Sequence, residues 1–446
     1  MRKMFRIREL VIAARGYQAK RVLGRALVVS GLNQVVSSGT NFVLGICLVR
    51  LLSPAEFGLY GIGFAISLFY AGIGSALFLT QMIVHTPDKS PEERKPYAGR
   101  ILLLELSFCA LTVSLGVVTL LASGLFWDSM ARHAMFALAV MAASVTHLLK
   151  EFFTGHAYNV RKEPWALSIH SMVAVVTVVL LFTQYRFVGS LDAAIALLVY
   201  ATAQASGALL GFCMSRLPVM HPLCALIETL TEIFCGGKWA SIASVVHFAR
   251  IQVYTIVVAS LLGPVGVAKL NASRLLVAPA NMLTPALGQV AMPRLASFRE
   301  RGELQLRRLG LAVAFILLAV AIAYSTILLS CYDMIVNSVW GEKYGGLFAL
   351  TALWSLYTCL LALRNGTEMI GQILKKFKNL SRINTYSAIV SLVATYLFTI
   401  NHGLPGALVG LIIGEVTQLW LIHHMFKQSP AIHKPVPGYF GNSHEY

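Results

Sequence analysis

Apolar residues gather along this chain into long uninterrupted runs, not into short alternating segments. Twelve runs stand out, at about 27–49, 58–84, 101–123, 134–156, 165–184, 191–214, 239–262, 265–291, 308–331, 345–371, 384–400 and 404–426. Crossing a bilayer core takes roughly 20 apolar residues as a helix. A membrane β-barrel would instead show segments of about ten residues with alternating polarity. The pattern predicts an all-α polytopic membrane protein with twelve transmembrane helices. The first run is too long and too polar for a cleavable signal, carrying Asn33, Gln34 and Asn41.

The polar intervals supply the organisation. In segment 215–238, Leu223, Leu226, Ile227, Leu230, Ile233 and Phe234 recur at helical spacing, with Glu228 and Glu232 opposite. This predicts an amphipathic helix on the cytoplasmic surface. It separates an N-lobe, 27–214, from a C-lobe, 239–426, each with six spans. A basic tail, 1–26, precedes them and a tail, 427–446, follows. Leu51-Leu52-Ser53-Pro54 follows the first run and Leu261-Leu262-Gly263-Pro264 follows the seventh, an offset of 210 residues. Six spans per half make the halves enter the membrane in the same direction, which predicts a pseudo-twofold axis along the membrane normal.

Composition excludes an ordinary soluble enzyme. Of 446 residues, 57% are hydrophobic and 12% charged, against about 25% charged in a soluble domain. Charge placement then sets the topology. With the N-terminus inside, 28 of the 36 Lys and Arg residues fall in cytoplasmic segments and adjoining helix ends, which places both termini in the cytoplasm. The net charge of +17 is thereby accounted for by anionic lipid at the inner surface, without nucleic acid. The seven cysteines are scattered and form no CxxC or Cys/His pattern, so neither a disulfide framework nor a metal site is indicated.

Val49-Arg50-Leu51-Leu52-Ser53-Pro54-Ala55-Glu56-Phe57-Gly58-Leu59-Tyr60, with the polar first run ahead of it, resembles a hallmark of Wzx-type polysaccharide flippases. These belong to the multidrug/oligosaccharidyl-lipid/polysaccharide (MOP) exporter superfamily. The stretch from Leu262-Gly263-Pro264 to Pro293 is similar in style. The motif covers about the first 80 residues and the architecture most of the chain. The resemblance implies a V-shaped pair of six-helix lobes in the bacterial inner membrane. It implies alternating access and movement of an undecaprenyl-diphosphate-linked oligosaccharide to the periplasmic face. It also implies coupling to H+ or Na+, no other cofactor, and work alongside polysaccharide polymerase or export machinery.

Ionisable groups at membrane depth are functional candidates by default. Arg250 in run seven, Lys269 and Arg274 in run eight and Arg364 in run ten predict a basic cavity suited to diphosphate, because guanidinium forks donate paired bonds to phosphate oxygens. Two of these have a local alternative. Arg364 and Glu368 are four apart and can neutralise each other, and Lys269 can snorkel to the outer interface. Arg250 and Arg274 have no helical partner. Asn33, Gln34 and Asn41, with Asn271 and Asn281, either line the lumen or hydrogen-bond between helices. His247, Glu368 and Glu415 are candidates for ion coupling, against packing and hydrogen-bonding roles. Pro279 and Pro285 predict a kink in run eight. Glycines 61, 63, 72 and 74 predict close helix packing.

Other function classes fit less well. A cation-drug exporter of the same superfamily needs acidic groups in the lumen, and run one has none. A membrane polysaccharide polymerase, ligase or glycosyltransferase needs a sizeable outer loop, whereas the outer loops here are on the order of ten residues given the span lengths. No P-loop or nucleophile motif stands out.

Overall fold

The computed structural model of the chain describes residues 28–122, 131–189, 191–218, 222–297, 303–374 and 376–428. The described residues are helical almost throughout and contain no strand. Nine of their helices are long and apolar enough to cross a membrane. Helices α1 (Val28–Leu51), α2 (Pro54–Asp88), α3 (Pro91–Ala122), α4 (Ala131–Asn159), α5 (Glu163–Thr183) and α6 (Ala193–Ser215) follow in order. α2 contains one π turn, Ser75–Leu79.

Two much longer helical stretches come next. Leu223–Ser297 breaks at Gly263, with φ 71° and ψ −178°, and Phe377–Gln428 breaks at Gly403, with φ 62° and ψ −139°. Contacts across Gly403 pair Gly406 with Phe398, Gly410 with Thr395 and Gly414 with Ser391. The pairs are centred on the break, so its two arms fold back as a helical hairpin. Arg274 likewise reaches Tyr254 across Gly263. The arms are α7 (223–262) and α8 (264–297), then α12 (377–402) and α13 (404–428). Between them lie α9 (Glu303–Ser330), the short α10 (Tyr332–Val339) and α11 (Phe348–Ile373). Counted arm by arm, the described part of each predicted apolar run falls mainly on a helical segment. The backbone break falls at Gly263, between the seventh and eighth runs, and Pro279 and Pro285 lie within helical α8.

Local chemistry explains the starts. Ser53 accepts the Glu56 N–H at 3.3 Å with Pro54 in the first helical position, the arrangement of a capped N-terminus. Pro264 likewise takes the first position of α8, after Gly263, whose positive φ reverses the chain without a side-chain cap. The repeated tetrapeptide is therefore a helix start used twice. Asp192 caps α6 by accepting the Ile195 N–H at 2.8 Å. A Cβ at position 403 would force a left-handed backbone on an L residue, at about 1–2 kcal/mol. Gly403→Ala is expected to lower the unfolding midpoint of purified protein by a few degrees.

The chain forms two compact units. One takes in residues up to Leu52 and Gly63–Val245; the other takes in Ser53–Ile62 and residues from Val246 onward. The first is organised around α4 and α6. Gly207 and Gly211 bring α6 against Val173, Ile169 and Phe153, the small-residue spacing that lets membrane helices approach closely. Gly63 and Gly74 do the same for Leu197 and Leu148. In the second unit, Leu306 packs with Met369 and Ile373, and Leu380 with Ile422. Large apolar side chains such as Leu111, Val175, Phe182, Phe315 and Ile389 face outward, as helices solvated by hydrocarbon do.

The expected surface helix at 215–238 is not a separate element: from Leu223 it runs directly into α7. Ile233, on its apolar side, is buried in a core cluster of the first unit. Glu232 pairs with Lys89 at 3.0 Å and Thr229 accepts from Arg100 at 2.9 Å, while Leu223 and Ile227 are exposed.

Candidate functional site

The second unit holds a buried network of polar and charged groups from α7, α11, α12 and α13. Glu415 is 1% exposed and Gln418 and Ser387 are fully buried. Arg250 on α7 donates to Glu415 Oε1 and to Gln418 Oε1, both on α13. Arg364 on α11 lies with Nε 2.8 Å from Glu415 Oε2 and donates to Glu368 Oε2 at 2.7 Å. Asn384 on α12 donates to Glu368 Oε1 at 3.2 Å and accepts from Gln418 Nε2. Glu415 thus bridges two guanidinium groups, and Glu368 completes a balance of two positive and two negative charges. Opposite charges in hydrogen-bond contact remove most of the burial penalty.

This arrangement corrects part of the sequence reading. Arg250, without a partner along its own helix, has one on another. Arg364 does pair with Glu368 along α11. Neither guanidinium presents a free charge, and Glu368 and Glu415 are their counter-ions.

Arg274 differs. Its Nη1 donates to the Tyr254 hydroxyl at 2.6 Å, and among the described residues no carboxylate lies within ion-pair distance. Tyr254 is held edge-on to Trp354 at 6.0 Å between ring centroids, and Trp354 donates from Nε1 to the Leu270 carbonyl at 3.2 Å. A phenol orients the guanidinium without cancelling its charge. Lys269, one turn before, is exposed. Asn271 packs on Gly61, and Asn281 has a buried Oδ1 with no partner. The side chain of His247 lies outside the described residues.

The first unit holds a polar cluster that the sequence reading did not assemble. His147, Lys150 and Glu151 share one face of α4. His147 Nδ1 lies 2.7 Å from the Tyr200 hydroxyl on α6, and Lys150 pairs with Glu151. His170 on α5 and Gln204 on α6 close a cavity of about 50 Å³, completed by Ser37, Thr40 and Asn41 of α1. Lys150 is 4% exposed. Gly207 leaves space for its stem, since a Cβ there would come 3.3 Å from Lys150 Cγ. The signal was present as the i, i+3, i+4 spacing of His147, Lys150 and Glu151. Those charges weaken a hydropathy run, so they read as the end of one. Of the other polar groups of α1, Asn33 donates to the Tyr158 hydroxyl on α4 at 2.6 Å, a bond between helices, and Gln34 donates to Ser38 one turn on in α1 at 2.9 Å. Glu105 on α3 is fully buried with neither oxygen hydrogen-bonded.

Comparison with known proteins gives these clusters a frame. The profile of the polysaccharide biosynthesis protein family matches residues 23–299. No curated protein matches the chain in sequence. Among solved structures, the lipid II flippase MurJ in an inward closed conformation is similar over 90% of this chain and 87% of its own, with TM-score 0.67 and 13% identity. An inward-facing multidrug resistance MATE family transporter of the MOP superfamily is similar over 91% and 100%, with TM-score 0.61 and 15% identity. An outward-facing one is similar over 92% and 97%, with TM-score 0.58 and 17% identity. A helical chain with membrane-length spans, a twice-used helix start and this family match belongs to the polysaccharide biosynthesis protein family, with the fold of the MOP-superfamily transporters.

Proposed function

We propose that the chain is a flippase of the bacterial inner membrane that carries a lipid-linked oligosaccharide, of the undecaprenyl-diphosphate type, from the cytoplasmic to the periplasmic leaflet. In this reading all twelve helical segments cross the membrane and both termini are cytoplasmic. The cargo feeds exopolysaccharide, capsule or O-antigen assembly, where a polymerase or export machinery takes it up. Alternating access is driven by H+ or Na+.

The observation that carries this reading is Arg274. Family membership supports a polysaccharide precursor, whose lipid-linked form is anionic. Of the arginines within the spans, Arg250 and Arg364 are neutralised by carboxylates, whereas Arg274 keeps its charge on a tyrosine mount. A guanidinium so held can donate two bonds to a phosphate without first breaking an ion pair. A cation exporter would invert this electrostatic preference, and α1 carries no acidic residue.

The deciding experiment is a deletion strain whose lipid-linked intermediates are identified by mass and by membrane side. Complete repeat units should accumulate on the cytoplasmic face and surface polysaccharide should disappear. Units that reach the periplasm, with only polymer length altered, would favour a polymerase instead. In the same strain Arg274→Gln should reduce transport by about tenfold or more, as expected for loss of a charge-assisted pair. Its unfolding midpoint should stay close to the parent's, because only one hydrogen bond to Tyr254 is lost. Reconstituted protein should move cargo faster under an imposed H+ or Na+ gradient.

A further inference from the structure

The first unit contains a second, larger cavity that the transport reading does not use. It measures about 680 Å³ and lies among the α2–α3 connection, the α4–α5 connection and the end of α6. Arg94, Lys95, Arg161 and Lys162 line it, together with His156 and Asn159. Asp88, Glu92 and Glu163 are their sequence neighbours, yet no carboxylate lines the cavity. Among the described residues none of the four long basic side chains has a carboxylate within ion-pair distance.

The wall is built. His156 is 5% exposed, and its Nδ1 is buried without a hydrogen-bond partner. Asn159 donates to Thr86 at 3.0 Å, fixing the α4 end against the α2–α3 connection. Lys162 places Nζ 3.9 Å from the centre of the Trp165 ring, which holds its ammonium at the rim. Arg94 donates from Nε to the Lys89 carbonyl at 3.2 Å, leaving its two terminal nitrogens for another acceptor.

Backbone conformation singles out Arg161. α4 ends with Lys162 N–H on the Ala157 carbonyl and Arg161 N–H on the Tyr158 carbonyl, a closure in which glycine is usual at the left-handed position. Here that position is Arg161, with φ 58°. The other non-glycine residue with positive φ among the described residues is Arg216, next to Ser215, which also lines the cavity. An arginine here accepts a backbone strain that glycine would avoid, and it sets a guanidinium at the cavity.

We propose that this cavity binds a phosphoryl anion, either the phosphodiester of an acidic phospholipid or a soluble diphosphate. Four cations around a polar wall that includes buried His156, with no carboxylate lining it, match an oxyanion with several acceptor oxygens. The site is distinct from the Arg274 region and does not depend on what is transported.

Two probes test it on the full-length protein. One is retention of phosphatidylglycerol over phosphatidylcholine from mixed vesicles, read by native mass spectrometry. The other is saturable binding of inorganic diphosphate to detergent-purified protein. At least one should bind, and Arg161→Gly and Lys95→Gln should each weaken it by about tenfold. Arg161→Gly relieves the left-handed backbone, so its unfolding midpoint should equal or exceed the parent's, separating lost binding from lost fold. Selective phosphatidylglycerol retention that diphosphate does not displace identifies a lipid; displacement identifies a soluble ligand. Absence of saturable binding with both probes, or parent-like binding in the Arg161→Gly/Lys95→Gln double variant, would overturn the proposal.

Discussion

Glu415→Gln is expected to destabilise the second unit by about 3–5 kcal/mol, the range for removing one partner of a buried ion pair. Glutamine keeps the shape of the side chain, removes its charge and turns one acceptor oxygen into an NH2 donor facing a guanidinium. Yet Glu415 is the acceptor of Arg250 on one oxygen and the counter-ion of Arg364 on the other. Without it, two guanidinium groups share the single carboxylate of Glu368, and a net positive charge is left in a region where Glu415 itself is 1% exposed. The measurable result is a large fall in folded yield and in the unfolding midpoint, with transport lost alongside. Arg250→Met combined with Glu415→Gln restores neutrality through Arg364 and Glu368. The double variant should therefore be more stable than the sum of the single losses, with a coupling of about 1–3 kcal/mol. Strict additivity would show that the groups are not one balanced unit. Charge reversal at Arg250 is likewise expected to fail in folding, unlike the Arg274 substitution.

What could be read along the chain was whatever chemistry repeats at short range. Contiguous apolar runs are visible because a helix in lipid must satisfy its backbone internally and show hydrocarbon a uniform surface. The Arg364–Glu368 pair is visible because four residues make one helical step. The Ser53-Pro54 and Gly263-Pro264 starts are visible because capping is local. Arg250 and Glu415 are 165 positions apart, and nothing in either neighbourhood names the other. For the same reason four separate cations read as a basic cavity, although Glu415 and Glu368 neutralise Arg250 and Arg364, and Lys269 is exposed. His147, Lys150 and Glu151 were legible as a helical face, but their environment depends on Tyr200, Gln204 and the missing side chain of Gly207. The reversals at Gly263 and Gly403 fall between apolar runs, where sequence marks a gap and only backbone geometry marks a hairpin.

The seam formed by the repeated motif should be the most intolerant of added volume. Ser53–Ile62 belongs to the second unit, and the reason is steric. A Cβ built on Gly58 would fall on the carbonyl of Pro264, and one on Gly61 would fall on the side-chain amide of Asn271. The start of α2 therefore lies directly on the start of α8, one motif copy against the other. The obstacle at Gly58 is backbone, which cannot rotate away, so even alanine must push the two helices apart. Overpacking costs about 1–3 kcal/mol when side chains can yield, and Gly58→Leu is expected to exceed that range and abolish both folded yield and transport. Gly61→Ala should cost less, because the Asn271 amide can turn. Gly39→Ala is the control: it lies within α1 with nothing within 4 Å of the added methyl, and helix propensity favours alanine by about 1 kcal/mol. Unfolding midpoints in one detergent should rank Gly39→Ala at or above the parent, Gly61→Ala below it, and Gly58→Ala and Gly58→Leu progressively lower. A parent-like midpoint and normal transport in Gly58→Leu would mean that the two motif copies are not in contact, and the steric basis for grouping Ser53–Ile62 with the second unit would be lost.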